Sequence, residues 1–294
     1  MAFNWKTFQT RTITAIIFAA VMLVGLLWNH WSFLILFSII HIGCWWEYLR
    51  LIEKIFKIDL DKVIKYLFIF SGFILMIVVG LKNISFDIWT WVYKFKISSK
   101  WVIWLCSFFL LLIFLIQNKK VPNKAKRMSL VGFLYISLSC GLILNLYFKE
   151  ITIHVQDSSG VAKRDFIPII IIASIWINDT MAYIVGSLIG KTQLSKVSPK
   201  KTWEGTIGGI ILSVVIIGLL GPYLTGTTLL IAAVVALLSS VFGTIGDLFE
   251  SKLKRIADVK DSGSFMPGHG GFLDRFDSLL FAIPAVCFFV YYIS

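Results

Sequence analysis

The chain has 294 residues, 58% of them apolar and only 15% charged, whereas soluble domains average roughly 45–50% and about 25%. That balance excludes an ordinary water-soluble globule, because the excess apolar surface has to face lipid. A formal net charge of +12 does not imply a nucleic-acid partner: the Lys and Arg residues fall in short connections between apolar runs, where they set topology and meet lipid headgroups.

Nine apolar segments follow in chain order, at about 13–28, 31–46, 66–81, 101–116, 129–148, 167–190, 206–224, 227–248 and 278–293. Several fall short of the ~20 residues that a perpendicular crossing needs, so their ends are approximate. The expected fold is all-α, a polytopic integral membrane protein with about nine transmembrane helices. The first run lacks the small-residue cleavage site of a signal peptide and reads as a retained helix. Short turns at Asn29-His30 and Thr225-Gly226 make hairpins of the first and second, and of the seventh and eighth segments. Cys44, Cys106, Cys140 and Cys287 lie inside apolar runs without metal-ligand spacing and read as small hydrophobes. The chain divides into variable N-terminal helices, 1–128, and a C-terminal part, 129–294, that holds the polar motifs.

Charge fixes an expected orientation. With a cytoplasmic N-terminus and nine crossings, 21 of the 28 Lys and Arg residues lie on the cytoplasmic side and 7 on the other, as the positive-inside tendency requires. The weak point is 82–100, where Trp89, Trp91 and Tyr93, with Trp101 just after, suggest an interfacial stretch, and a topology with one segment fewer is the alternative.

Two polar features precede the C-terminal loop. Asn178-Asp179 interrupts the sixth segment, and a carboxylate at mid-bilayer costs ~2.5–3.5 kcal/mol on insertion scales, so it is not expected to face lipid. The loop after that segment reads Ser198-Pro199-Lys200-Lys201-Thr202-Trp203-Glu204-Gly205. It holds no Walker A motif, and the chain has no HExxH, GxSxG or paired CxxC.

The densest polar region runs from Asp247 to Asp277 and holds six of the sixteen acidic residues, mixed with Lys252, Lys254, Arg255, Lys260, His269 and Arg275. The eighth segment enters these charges without a helix breaker, so Asp247, Glu250 or Ser251, and Lys254 share a helical face. Met266-Pro267-Gly268-His269-Gly270-Gly271 is a glycine-rich turn whose backbone N–H groups can approach a phosphate. Asp274 and Asp277 then stand at i, i+3 as the ninth segment begins. Carboxylates beside phosphate-sized basic groups suit Mg²⁺, which binds through one or two carboxylates while phosphates and water complete its shell.

Read together, Ser251-Lys252-Leu253-Lys254-Arg255, Lys260-Asp261-Ser262-Gly263 and Pro267-Gly268-His269-Gly270-Gly271-Phe272-Leu273-Asp274-Arg275-Phe276-Asp277 resemble the signature of the phosphatidate cytidylyltransferase (CDP-diacylglycerol synthase) family. About a dozen positions match at fixed spacing over 27 residues. The stretch around Asn178-Asp179, with Ala182-Tyr183, Gly186 and Gly190-Lys191, resembles other motifs of that family, as do Ser198–Gly205 and Gly246–Ser251. Strong resemblance covers roughly 170–280.

The resemblance implies that CTP and phosphatidate give CDP-diacylglycerol and pyrophosphate, with Mg²⁺ as cofactor and the lipid bilayer as partner. A homodimer is a candidate assembly. Asp247, Asp261, Asp274, Lys260 and His269 are the candidate catalytic residues, and Asp247, Asp261, Asp274, Asp277 and Asp179 the candidate metal ligands. Substrate contacts are expected from Asn178, Lys200, Lys201, Thr202, Ser251, Lys254, Arg255, Gly270, Gly271 and Arg275. The expected location is a bacterial inner membrane with the site on its cytoplasmic side. Two rivals are a CTP-dependent kinase or synthase acting on another lipid, and an ion-coupled transporter. The second lacks the inverted repeats that transporters often carry.

Overall fold

The computed structural model describes residues 5–81, 99–148, 167–265 and 270–293. The aromatic stretch 82–98 and residues 266–269, with His269, lie outside them. The helices are α1 (Trp5–Leu27), α2 (His30–Phe56), α3 (Lys62–Gly80), α4 (Ser99–Gln117), α5 (Asn123–Gly132), α6 (Ser139–Phe148), α7 (Ile167–Ile189), α8 (Trp203–Thr225), α9 (Leu229–Ile256) and α10 (Leu273–Ile293). A π-helical turn, Phe133–Leu138, joins α5 to α6 without a break. The described residues thus form nine continuous rods, one for each apolar segment of the sequence, and a short hairpin of β1 (Gln193–Ser195) and β2 (Ser198–Thr202). Seven rods are long and apolar enough to cross a membrane. The chain is a polytopic, all-α integral membrane protein.

Two compact units make up the chain. The first joins Met1–Asn145 to Ile256–Arg275. Its α2 begins with a reciprocal cap, Asn29 accepting from the Ser32 amide at 2.8 Å while Ser32 Oγ accepts from the Asn29 amide at 3.0 Å. The buried face of α2 follows the helical period through Phe33, Phe37, Ile40, Cys44, Tyr48 and Leu51. Trp45 lies at its centre, 5.6 Å from the Phe68 ring and 5.1 Å from the Phe133 ring. Its indole donates to Ser137 Oγ at 2.8 Å, and His41 Nε2 lies 3.0 Å from the same hydroxyl. Ser137 belongs to the π-helical turn, so the wider turn aims its hydroxyl at the buried Trp45 and His41 rings.

The second unit joins Leu146–Arg255 to Phe276–Ser294. Here α7 and α8 pack through small residues, as close-packed membrane helices do. A Cβ added at Gly209 would lie 2.7 Å from the Asn178 carbonyl oxygen, so only glycine lets α8 approach α7 at that level. α9 and α10 meet the same way: a Cβ at Gly246 would lie 2.5 Å from the Asp277 carbonyl oxygen. The large exposed apolar side chains of this unit, among them Ile211, Leu219, Leu230 and Phe288, suit a lipid-facing surface.

Candidate active site

The second unit gathers polar groups from four elements. Asp179 comes from α7, Lys201 from β2, Asp247 from α9 and Asp277 from α10. The Gly246 contact explains part of the convergence, since it sets α9 against α10 beside Asp247 and Asp277. The hairpin that carries Lys201 is held by α8: Glu204 accepts from the Lys191 amide at 3.2 Å and the Thr192 amide at 3.1 Å. The Trp203 amide donates to the Thr192 carbonyl at 2.9 Å. Thr202 caps α8, its hydroxyl accepting from the Gly205 amide at 3.1 Å.

Lys201 forms an ion pair with Asp247 Oδ2, the two side chains being 32% and 23% exposed. Burial alone would push the Lys201 ammonium down. The negative charge of Asp247, then of Asp179 and Asp277, outweighs that effect and holds its pKa above the usual lysine value. Asp277 is 5% exposed and within electrostatic reach of Asp247, Lys201 and Lys254. Asp179 is exposed and within reach of Lys201 and Asp247. Three carboxyl groups thus lie within electrostatic reach of Lys201. Beside Asp179, Asn178 is buried, with its amide 3.5 Å from Asp179 Oδ1 and its own Oδ1 without a partner among the described residues.

Lys254 pairs with the fully buried Glu250 one turn earlier on α9. Arg255 Nε approaches the Val197 carbonyl at 3.5 Å, tying the end of α9 to the hairpin. Ser251 is half-buried and Lys200 is exposed.

The first unit holds the other candidates. Asp274 Oδ2 accepts from the Ser262 amide at 2.9 Å, the Ser262 hydroxyl at 2.9 Å and the Gly271 amide at 2.7 Å. That oxygen ties Ser262 and Gly271 to the start of α10. Gly270 adopts a left-handed φ of 84°, which allows the turn. Lys260, Asp261 and Arg275 are exposed.

Sequence reasoning missed Glu47 and Ser262. Glu47 is 5% exposed and accepts from the Ser262 hydroxyl at 2.8 Å and the Leu273 amide at 2.9 Å. The signal was present, because Glu47 falls three residues after Cys44 and four before Leu51 on the buried stripe of α2.

Among the described residues no group of three His, Cys, Asp or Glu side chains has metal-holding geometry.

The model of the Cytidylyltransferase family matches residues 9–293, nearly the whole chain. The chain belongs to the cytidylyltransferase family. Within that family it is 44% identical over 158 residues to the phosphatidate cytidylyltransferase of Synechocystis sp., covering 51% of this chain and 50% of that one. It is 46% identical over 122 residues to the phosphatidate cytidylyltransferase of Bacillus subtilis, covering 39% and 43%. It is 50% identical over 104 residues to phosphatidate cytidylyltransferase 4, chloroplastic, of Arabidopsis thaliana, covering 35% and 27%. The chain thus spans half or less of the length of these curated relatives.

Proposed function

We propose that this cytidylyltransferase family member transfers the CMP group of CTP to phosphatidate, releasing pyrophosphate, at the cytoplasmic face of a bacterial inner membrane. The observation that carries the reading is the Asp179–Lys201–Asp247–Asp277 cluster, an excess of carboxylates around one lysine on apolar helices. The names of the relatives supply the substrate class. The 21-to-7 division of basic residues supports the cytoplasmic placement.

In this reaction a phosphatidate oxygen attacks the α-phosphorus of CTP, the α–β bridging bond breaks, and its electron pair leaves with pyrophosphate. Little proton chemistry is needed, so the protein acts by positioning and by balancing charge. Lys201, kept charged by its acidic neighbours, holds a phosphate oxygen and withdraws charge from it. Lys254 and Arg255 add positive charge at the end of α9. Asp247 and Asp277 fit Mg²⁺: they are hard oxygen donors and lie within electrostatic reach of each other. Bound there with phosphate oxygens and water, Mg²⁺ would supply transition-state charge stabilisation.

The test is transfer of label from CTP into lipid in detergent micelles containing phosphatidate. Label at the α-phosphate should appear in lipid with pyrophosphate released. Label arriving instead from the γ-phosphate would mean a lipid kinase and overturn the proposal.

A further inference from the structure

Among the described residues three carboxylates are almost withdrawn from water: Glu47, Glu250 and Asp277. Glu250 pairs with Lys254, and Asp277 belongs to the Lys201 cluster. Glu47 pairs with no basic side chain among the described residues. A buried carboxylate without a cation is strongly unfavourable unless donors replace its water, and the donors here are specific. Glu47 Oε2 accepts from the Ser262 hydroxyl at 2.8 Å and from the Leu273 amide at 2.9 Å. Leu273 is the first residue of α10. Its N–H has no partner within the helix, and the positive end of the helix dipole favours a negative group there.

The space around this carboxylate is equally specific. A Cβ at Gly263 would collide with Glu47 Oε1, and a Cβ at Gly271 would collide with both carboxylate oxygens. Gly263 and Gly271 therefore approach the acid with bare backbone. Ser262 Oγ lies 2.8 Å from Glu47 Oε2 and 2.9 Å from Asp274 Oδ2, so one hydroxyl links the two acids. Underneath, a Cβ at Gly43, one turn before Glu47 on α2, would lie 2.5 Å from the Phe272 ring. The α2 face carrying Gly43 and Glu47 is the seat on which residues 262–263 and 271–273 rest.

We propose that Glu47 is a positioning residue for cytidylyl transfer: it clamps Ser262 and residues 271–274 onto α2 and fixes the first turn of α10. The clamp holds Asp274 in place and sets where α10 starts. Its catalytic consequence rests on the function proposed above; the clamp itself does not.

The experiment uses the full chain in detergent, with Glu47→Ala, Glu47→Gln and Ser262→Ala compared on equal amounts of monodisperse protein. Amide exchange is followed in peptides covering 256–275 and, as a reference, 203–225. In Glu47→Ala the 256–275 amides should exchange at least about tenfold faster with the reference unchanged, as local opening requires. Turnover should fall about 10–100-fold with KM for CTP and phosphatidate within about twofold, since small misplacement of a reacting group acts on the chemical step. Glu47→Gln keeps an acceptor oxygen and should recover most of both. Ser262→Ala removes one strut only and should lie between wild type and Glu47→Ala. Unchanged exchange at 256–275 in Glu47→Ala and Ser262→Ala overturns the clamp. Faster exchange with normal turnover overturns the positioning role. Should Glu47→Ala fail to fold, a Gln variant without recovery, beside a wild-type-like Ser262→Ala, overturns it as well. Wild-type protein that transfers no label from the CTP α-phosphate refutes the proposed function instead, and the exchange measurement then decides the clamp alone.

Discussion

Lys201 faces three carboxylates, and its chemistry follows from that imbalance. A lysine whose pKa is raised on folding adds stability that is fully present below its unfolded value and is lost as pH climbs through the folded one. Lys201→Met should therefore lower the melting temperature in detergent by a constant amount from neutral pH up to the ordinary lysine range. The gap should close only above that range; a gap closing near neutral pH would contradict the charge cluster. Asp247 and Asp277 make the complementary case. If they hold Mg²⁺, losing either removes several kcal/mol of transition-state stabilisation, and 3 kcal/mol is roughly a hundredfold in rate. Asp247→Asn and Asp277→Asn should each lose at least about that much with folded yield preserved and a shifted Mg²⁺ requirement. The double variant should lose far less than the product, because groups acting as a unit are not additive. Asp261 is exposed, and Asp261→Asn decides its role in the same assay. A hundredfold loss would put it among the metal ligands, whereas near-normal turnover leaves Asp247 and Asp277 as the pair.

At the level of helices, glycine at the α9–α10 contact is what brings two acids together. A Cβ at Gly246 would meet a backbone atom, the Asp277 carbonyl oxygen at 2.5 Å, which cannot swing aside as a side chain can. Gly246→Ala should destabilise the protein by about 1–3 kcal/mol, the usual range for overpacking, and reduce turnover by separating Asp247 from Asp277. Gly218→Ala is the control: its Cβ would lie 3.4 Å from the Ala233 Cβ, an ordinary contact, so it should be neutral or slightly stabilising. Thermal unfolding and turnover of the two variants, measured together, check this. The helices themselves were legible in the sequence because each needs only a long apolar run, and α9 could be followed into its charged end because no breaker interrupts Asp247–Arg255. The hairpin was not legible. Its strands are three and five residues long and depend on Glu204 and Trp203 of α8 closing the loop from outside. Glu47 was overlooked because the apolar run ends at Trp46, although α2 continues to Phe56. The capping of Asp274 was equally hidden: the Ser262 and Gly271 donors are backbone amides, which any sequence supplies and only the fold aims.

For the whole molecule, orientation in the bilayer decides whether the proposed chemistry is feasible. CTP is soluble and highly charged, so a site on the far side of a cytoplasmic membrane would not meet it. Seven rods are able to cross the bilayer by length and composition, while Ile13–Leu27 and Trp101–Gln117 are shorter apolar stretches. The side on which the later loops lie therefore depends on whether α1 and α4 cross too. The distribution of basic residues supports nine crossings, with Lys200 and Lys260 on the same side as the N-terminus. Both residues are exposed, so each can be replaced by cysteine with little effect on packing. In right-side-out vesicles, a membrane-impermeant thiol reagent should leave Lys200→Cys and Lys260→Cys unlabelled until the vesicles are opened. A cysteine placed at Ser294 should be labelled at once, because nine crossings put the two ends of the chain on opposite sides. External labelling at 200 or 260 would overturn both the orientation and the cytoplasmic placement of the site. Labelling at all three positions only after opening would mean that α10 does not cross, because Lys260 and Ser294 flank it, with the site still on the cytoplasmic side. Labelling at 200 and 260 with Ser294 protected would instead point to α1 or α4, whose apolar stretches are shorter than the seven spans among the described residues.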